Sequence, residues 1–223
     1  PRATAMGRRP HSARVGRAEI ANHAARLLVD GGVIDFDSAR RKAQRELGAE
    51  QSRDLPDNLE LHRAVIDYLR LFHGARHAER IAHLRNVAHK ALRLLAPFQA
   101  VLVGPVLYGT ACEFTPVSLH LRSDEFEAVT RFLLERRMSY ELDETQLRVS
   151  GLAAPQRLPQ ILLSLYDEAF ELTVLPAHNS RQPLSAIDGR PMQRADVATL
   201  DALLDSGEVF VGDFATPVAP HPL

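Results

Sequence analysis

The chain lacks the features that are typical of secreted and membrane proteins. Cys112 is the single cysteine among 223 residues, which excludes an intramolecular disulfide framework and fits a reducing compartment. No apolar run approaches the roughly 20 residues needed to span a bilayer. No apolar segment follows the basic residues near the N-terminus, as it would in a signal peptide. We therefore expect a cytoplasmic protein that makes no contact with a membrane.

A strong net charge is also missing. The formal charge is −1, with 45% hydrophobic and 25% charged residues, which excludes the disordered and fibrous classes. The charge is nevertheless divided, because residues 1–100 hold 18 Lys and Arg against 11 Asp and Glu, and residues 101–223 hold 9 against 17. An RNA or protein partner would bind the basic half, where Arg40, Arg41, Lys42 and Arg45 lie close together. Equally, the two halves can dock on each other, or each can simply be solvated.

The histidines do not form a recognisable set of metal ligands. His73 and His77 stand four residues apart, but Gly74 interrupts the helix that would place them on one face. Neither a cysteine nor an acidic residue lies at ligand spacing from them. We interpret His73, His77, His83 and His89 as surface or packed side chains, and we predict no metal site.

Hydrophobic periodicity predicts a helical first part and a mixed second part. Four helices are expected first: 17–30, 39–47 with Asp37 or Ser38 as its cap, a third from the cap Asp57 to Gly74, and 77–95. Six short strands and two helices are expected next: strands 100–103, 117–121, 140–142, 146–149, 161–165 and 170–175, and helices 123–137 and 194–204. The third and fourth strands would form a hairpin around Asp143 and Glu144.

The boundaries that follow are a flexible basic tail (1–16), a helical segment docked on the core (17–96), a sheet core (97–206) and a C-terminal tail (207–223). Residues 217–223 are proline-rich and are expected to be disordered.

The most informative stretch is residues 98–121, FQAVLVGPVLYGTACEFTPVSLHL. A short apolar strand ends at Gly104, where the backbone must turn tightly, and 106–111 can form one helical turn. From Val117 to Leu121 apolar and polar residues alternate, as in a half-buried strand. Ser118 and His120 therefore lie on the polar face, and we expect replacement of His120 to change ligand affinity rather than stability.

This stretch resembles the signature of the nucleotidyltransferase (polymerase-beta-like) superfamily, and the chain is similar to degenerate bacterial members. In that superfamily a Gly-Ser pair opens a helix and holds the phosphates of a nucleotide, and an Asp-x-Asp on the next strand binds Mg²⁺. Gly104 stands at the glycine position. The resemblance implies an α+β fold in which a mixed sheet of the nucleotidyltransferase type carries packed helices and is preceded by a four-helix N-terminal segment.

The residues that would carry the chemistry of the superfamily are replaced. Pro105 stands in place of the serine and lacks both a hydroxyl and a backbone N–H. The Asp-x-Asp pair aligns with Pro116 and Ser118, or with Ser118 and His120. Glu171 is the one acidic residue in the later strand-like run where the third carboxylate is expected. One carboxylate cannot form the usual two-metal site.

The resemblance therefore implies a module that binds a nucleotide, an RNA or a protein without catalysis. The alternative is a divergent nucleotidyltransferase that transfers a nucleotidyl group from a nucleoside triphosphate and retains Mg²⁺; otherwise no cofactor is expected. No catalytic and no metal-binding residue is assigned. The residues expected to contact a nucleotide are Gly104, Tyr108, Gly109, Thr110, Ser118, His120 and Glu171.

Overall fold

The computed structural model describes residues 15–33, 35–178 and 181–212. The expectations for residues 1–14 of the N-terminal tail and for residues 217–223 lie outside these ranges. Within them the protein has an α+β architecture with seven α-helices and one five-stranded mixed sheet. The predicted fold class, a mixed sheet with helices packed on it, is confirmed at this level.

The first three helices share a small apolar core of their own. They are α1 (Arg17–Val29), α2 (Phe36–Glu46) and α3 (Asn58–Phe72). Ile20 and Ala24 of α1 pack with Leu61 and Leu69 of α3, and all four are at most 2% exposed. Asp57 caps α3 as predicted, in a reciprocal capping box with Glu60 that satisfies two backbone N–H groups at the helix start.

The predicted cap of α2 was wrong. Asp35, rather than Asp37 or Ser38, has extended backbone angles (φ −133°, ψ 152°), and its carboxylate accepts the Ser38 N–H at 2.8 Å. The cap bond joins a side chain to the N–H three residues later, and Asp35 stands at that distance from Ser38. Asp37 lies in the first turn and pairs with Arg40 instead.

The fourth helix, α4 (Gly74–Leu94), packs with the sheet and also contacts α3. Its buried side chains, among them Ile81, Leu84 and Leu92, belong to the same apolar cluster as the sheet strands. A 3₁₀ turn at Ala96–Phe98 follows it. The remaining elements are β1 (Val101–Val103), α5 (Pro105–Tyr108), β2 (Val117–Arg122), α6 (Phe126–Glu135), β3 (Tyr140–Leu147), β4 (Gln156–Leu165), β5 (Glu168–Leu175) and α7 (Val197–Ser206).

The sheet has the strand order β1-β2-β5-β4-β3. β2 and β5 run parallel, and the other three neighbouring pairs run antiparallel. The parallel pair at the centre brings residues 117–122 beside residues 170–175. Side chains from α4, α6 and α7 join the apolar cluster on one face of the sheet.

The predicted hairpin around Asp143 and Glu144 was wrong, and so was the count of six strands. Residues 140–147 form one continuous strand that pairs with β4 along its whole length. The acidic residues resemble a turn, but β3 is the last strand in the sheet order, and charged side chains are common on edge strands because they face water. Asp143 and Glu144 are both exposed there.

Residues 208–211, which we call the C-terminal strap, pack across α4 and α5. Arg85 on α4 is 2% exposed and donates to the carbonyls of Glu208 and Val209 in the strap and of Val106 and Leu107 in α5. Phe210 packs against both apolar clusters. The strap therefore connects the three-helix core to the sheet core.

Candidate functional site

The polar face of the sheet is built by alternation along β2. Val117, Leu119 and Leu121 point into the core and are 0% exposed, so Ser118, His120 and Arg122 point to the opposite face. Glu171 and Thr173 on β5 stand directly beside Ser118 and His120, and cross-strand partners share a face. These residues define what we call the polar face.

The glycine turn lies at the edge of this face. Val103, the last residue of β1, is the cross-strand partner of Ser118, and Gly104 follows it with φ 73°. A Cβ on Gly104 would lie 3.7 Å from the Ser118 Cβ and 3.8 Å from its Oγ. Gly104 is thus needed for the backbone conformation, and it places the turn next to Ser118.

The other predicted turn residues point away from the polar face. Tyr108 is 4% exposed, its ring centroid lies 5.9 Å from that of His62 on α3, and burial raises the pKa of its hydroxyl to about 12. The Gly109 carbonyl accepts a 2.7 Å hydrogen bond from the His77 ring, and Thr110 is buried. The structure therefore brings together Gly104, Ser118, His120 and Glu171. It places Tyr108 and Gly109 beside α3, α4 and the strap, and it buries Thr110 after α5.

A cavity of about 520 Å³ lies at one end of the polar face. β1, β2, the end of β5 and the segment before α7 line it together. The lining residues are Gln99, Ala100, Val101, Val103, His120, Arg122, Leu175, Gln182, Pro183, Met192, Arg194 and Asp196. Of the residues expected to contact a nucleotide, His120 is the one that lines this cavity.

The charged groups of the cavity are two guanidinium groups and one carboxylate. Arg122 extends from β2 and donates to the Pro176 carbonyl at 3.2 Å, which holds its position, whereas Arg194 is exposed. Asp196 is engaged at the start of α7, where its carboxylate accepts both the N–H and the hydroxyl of Thr199. These bonds to Thr199 lower the pKa of Asp196, which stays ionised. The balance of charge favours an anion.

His120 lies on the predicted face, but it is 7% exposed rather than open to solvent. Burial lowers the pKa of its imidazole to about 4, and the nearby charge of Arg122 acts in the same direction. The ring is therefore neutral at pH 7 and can donate one hydrogen bond and accept another. The expectation that its replacement would leave stability unchanged assumed an exposed ring, and the ring is buried.

Glu171 is half-buried beside Ser118. Burial raises the pKa of its carboxyl group, the charge of Asp143 on β3 adds to this, and a hydrogen bond with the Ser118 side chain opposes it. The Gln160 amide on β4 donates to the Glu171 Oε2 at 3.5 Å. This end of the polar face thus offers hydroxyl, carboxyl and amide groups within reach of one another.

The alternation in β2 could have revealed one of the missed cavity residues. Arg122 is the next residue after His120 on the same face, so the two-residue period predicts its direction. Arg194, Gln182 and Met192 come from an irregular segment after β5, whose path the sequence pattern does not specify. Among residues 15–33, 35–178 and 181–212, no group of three or more His, Cys, Asp or Glu is placed to hold a metal ion.

None of the helices that the structure describes has both the length and the apolar character needed to cross a bilayer. A comparison of the chain with protein-family models, with curated proteins and with solved structures found no match in any of the three.

Proposed function

We propose that the chain is a nucleotidyltransferase-fold protein with a degenerate metal site, and that it binds a nucleotide on the polar face without catalysis. The order of parts supports this proposal. A strand, the Gly104 turn, the short helix α5 and the strand β2 follow one another, and the strand that carries Glu171 lies parallel beside β2. This is the frame expected for the superfamily that the sequence resembles.

The observation that carries the proposal is the placement of two arginines and a neutral histidine around one cavity on this face. Charge-assisted hydrogen bonds from guanidinium groups are the usual protein ligands of phosphate oxygens. His120 adds a neutral donor to this cavity. A phosphate can therefore be bound by the side chains of the protein alone, without a bridging cation.

The absence of catalysis is inferred from the side chains at the key positions. Metal-assisted transfer requires ionised carboxylates at a pair of alternate strand positions, and the chain has Pro116 and Ser118, or Ser118 and His120, there. Glu171 is the one carboxylate there, and burial raises the pKa of its carboxyl group, which disfavours the ionised form that a metal requires. Binding thus accounts for these residues better than phosphoryl transfer does.

Titration calorimetry with ATP tests the proposal. Replacing Arg194 by Gln removes a charge-assisted contact of about 1.5–3 kcal/mol, so the Kd should rise at least tenfold. Arg157→Gln is the matched control, because this exposed arginine on β4 pairs with Glu144 and does not line the cavity. The proposal is wrong if ATP does not bind, or if the two variants weaken binding equally.

A further inference from the structure

The two edges of the sheet differ in how far the chain itself covers them. At one edge, Leu102 of β1 exchanges backbone hydrogen bonds of 2.8 and 2.9 Å with Ala195, so a later segment extends the sheet there. At the other edge lies β3, and all its eight residues pair with β4. Apart from that pairing, no backbone group of residues 15–33, 35–178 and 181–212 bonds to residues 140–147. Because the N–H and C=O groups of a strand alternate in direction, about half of those in β3 face an open edge.

A row of apolar residues crosses the whole sheet and ends at this edge. Direct cross-strand partners connect β1 to β3 through Leu102, Leu119, Leu172, Ile161 and Leu142. The first four are 0% exposed, whereas Leu142 is 62% exposed. A further strand with an apolar residue beside Leu142 would continue the row and remove this side chain from water.

Acidic side chains flank Leu142 on the opposite face of the strand. Glu141 and Asp143 are both exposed, and alternation places them on the same side as the polar face. Glu144 is already paired, because a guanidinium nitrogen of Arg157 lies 3.3 Å from its carboxylate. The Asp143 carboxylate accepts the Glu144 N–H at 2.8 Å. Glu141 and Asp143 therefore remain the acids that an added strand would meet on either side of Leu142.

These acids disfavour a second copy of the chain as the added strand. An antiparallel pairing that sets Leu142 opposite its own copy also sets Glu141 of each chain opposite Asp143 of the other. Like charges directly opposite each other destabilise a strand pair, and opposite charges stabilise it. The charge of this edge thus favours a strand that carries Lys or Arg at both positions.

We propose that β3 is a docking edge for an extended protein segment with a basic–apolar–basic triplet. The apolar residue lies beside Leu142, and the two basic residues lie beside Glu141 and Asp143. Backbone hydrogen bonds to the outward groups of β3 hold the segment, and the triplet provides the specificity. The inference is independent of the proposed nucleotide, because none of these three residues lines the cavity.

Fluorescence anisotropy with a labelled synthetic peptide, Thr-Thr-Lys-Val-Lys-Thr-Thr, tests the proposal. We expect binding that weakens as salt is added, and about tenfold weaker binding of a second peptide in which both Lys are replaced by Glu. Replacing Val by Ser should weaken binding several-fold, because Leu142 then loses its apolar partner. N-methylation of single peptide amides should weaken binding at every second position only, because alternate amides face β3.

Charge reversal on β3 locates the site. The variant with both Glu141→Lys and Asp143→Lys should bind the Lys peptide about tenfold more weakly and should gain affinity for the Glu peptide. Glu50→Lys is the matched control, because it makes the same change of charge at an exposed acid between α2 and α3. It should bind both peptides as the unmodified chain does. Melting curves verify that each variant is folded before titration.

Several results would overturn the proposal. It is wrong if the Lys peptide does not bind at millimolar concentration. It is also wrong if N-methylation acts without a two-residue period, since charge alone would then account for binding. Equal binding of the Lys peptide by the charge-reversed variant would place the peptide elsewhere. Sedimentation equilibrium of the chain alone gives the last outcome: a dimer that Leu142→Lys dissociates would make a second copy the occupant of this edge and reject the basic segment.

Discussion

Lowering the pH from 8 to 5 should destabilise the protein, because burial lowers the pKa of the imidazole of His62, His77 and His120 and so favours the neutral form of each. His62 is 3% exposed and His120 is 7% exposed, and burial lowers the pKa of each imidazole from 6.5 to about 4. In the unfolded chain the same groups bind protons once the pH falls below 6.5. Protonation therefore stabilises the unfolded state over a pH range in which it does not stabilise the folded state.

The sign and size of the effect follow from this difference. The contribution to stability is complete above pH 6.5 and is lost as the pH falls toward 4. At pH 5 His62 and His120 should each reduce the free energy of unfolding by about 2 kcal/mol relative to pH 8. Two such groups would remove about 4 kcal/mol, a large part of the 5–15 kcal/mol that is typical of a folded domain.

Urea unfolding at pH 8, 6.5 and 5 and constant ionic strength measures this effect. Glu171 has a raised pKa and acts in the opposite direction, so variants are more informative than the curve of the unmodified protein. His62→Gln and His120→Gln should each reduce the loss between pH 8 and 5 by about 2 kcal/mol. If both buried-site variants keep the full loss, the reasoning is refuted.

Three further predictions concern the turn, the basic half and the metal. Gly104→Ala should lower the free energy of unfolding by roughly 1–2 kcal/mol, because a side chain at positive φ is strained. Gly109→Ala should lower it clearly more in equilibrium unfolding, because its Cβ would lie 1.9 Å from a strap carbonyl oxygen. Charge reversal on α2 should leave the fold intact and abolish only weak, salt-sensitive binding of single-stranded RNA in anisotropy titrations; RNA binding that survives 200 mM salt would contradict this. The substitutions are Arg41→Glu, Lys42→Glu and Arg45→Glu. Mg²⁺ should not tighten ATP binding in calorimetry, and a gain of tenfold, about 1.4 kcal/mol, would favour a divergent enzyme instead.

The local features of the fold could be predicted because they depend on neighbouring residues. Gly104 has the positive φ that its place between two strands indicated, and Asp57 caps α3 as its position before an apolar period indicated. Alternation correctly placed Ser118 and His120 on one face of β2.

The features that failed depend on distant parts of the chain. His120 is buried and lines a cavity together with the segment before α7, more than 60 residues later, and no local pattern contains that information. The acidic residues at Asp143 and Glu144 predicted a turn, because the sequence alone does not show that they lie on an edge strand of the sheet. The contacts of the C-terminal strap were missed for the same reason, since residues 207–223 were assigned to a tail on composition alone.

The C-terminal strap has a consequence for how the chain folds during its synthesis. The ribosome produces both apolar clusters before it produces residues 208–211, and domains generally begin to fold from the N-terminal side. Until the strap arrives, the Arg85 guanidinium lacks two of its four carbonyl partners, and Phe210 is absent from its place between the clusters. The final contacts of the described fold therefore form late, because residues 208–211 emerge from the ribosome after the residues of the three-helix core and of the sheet.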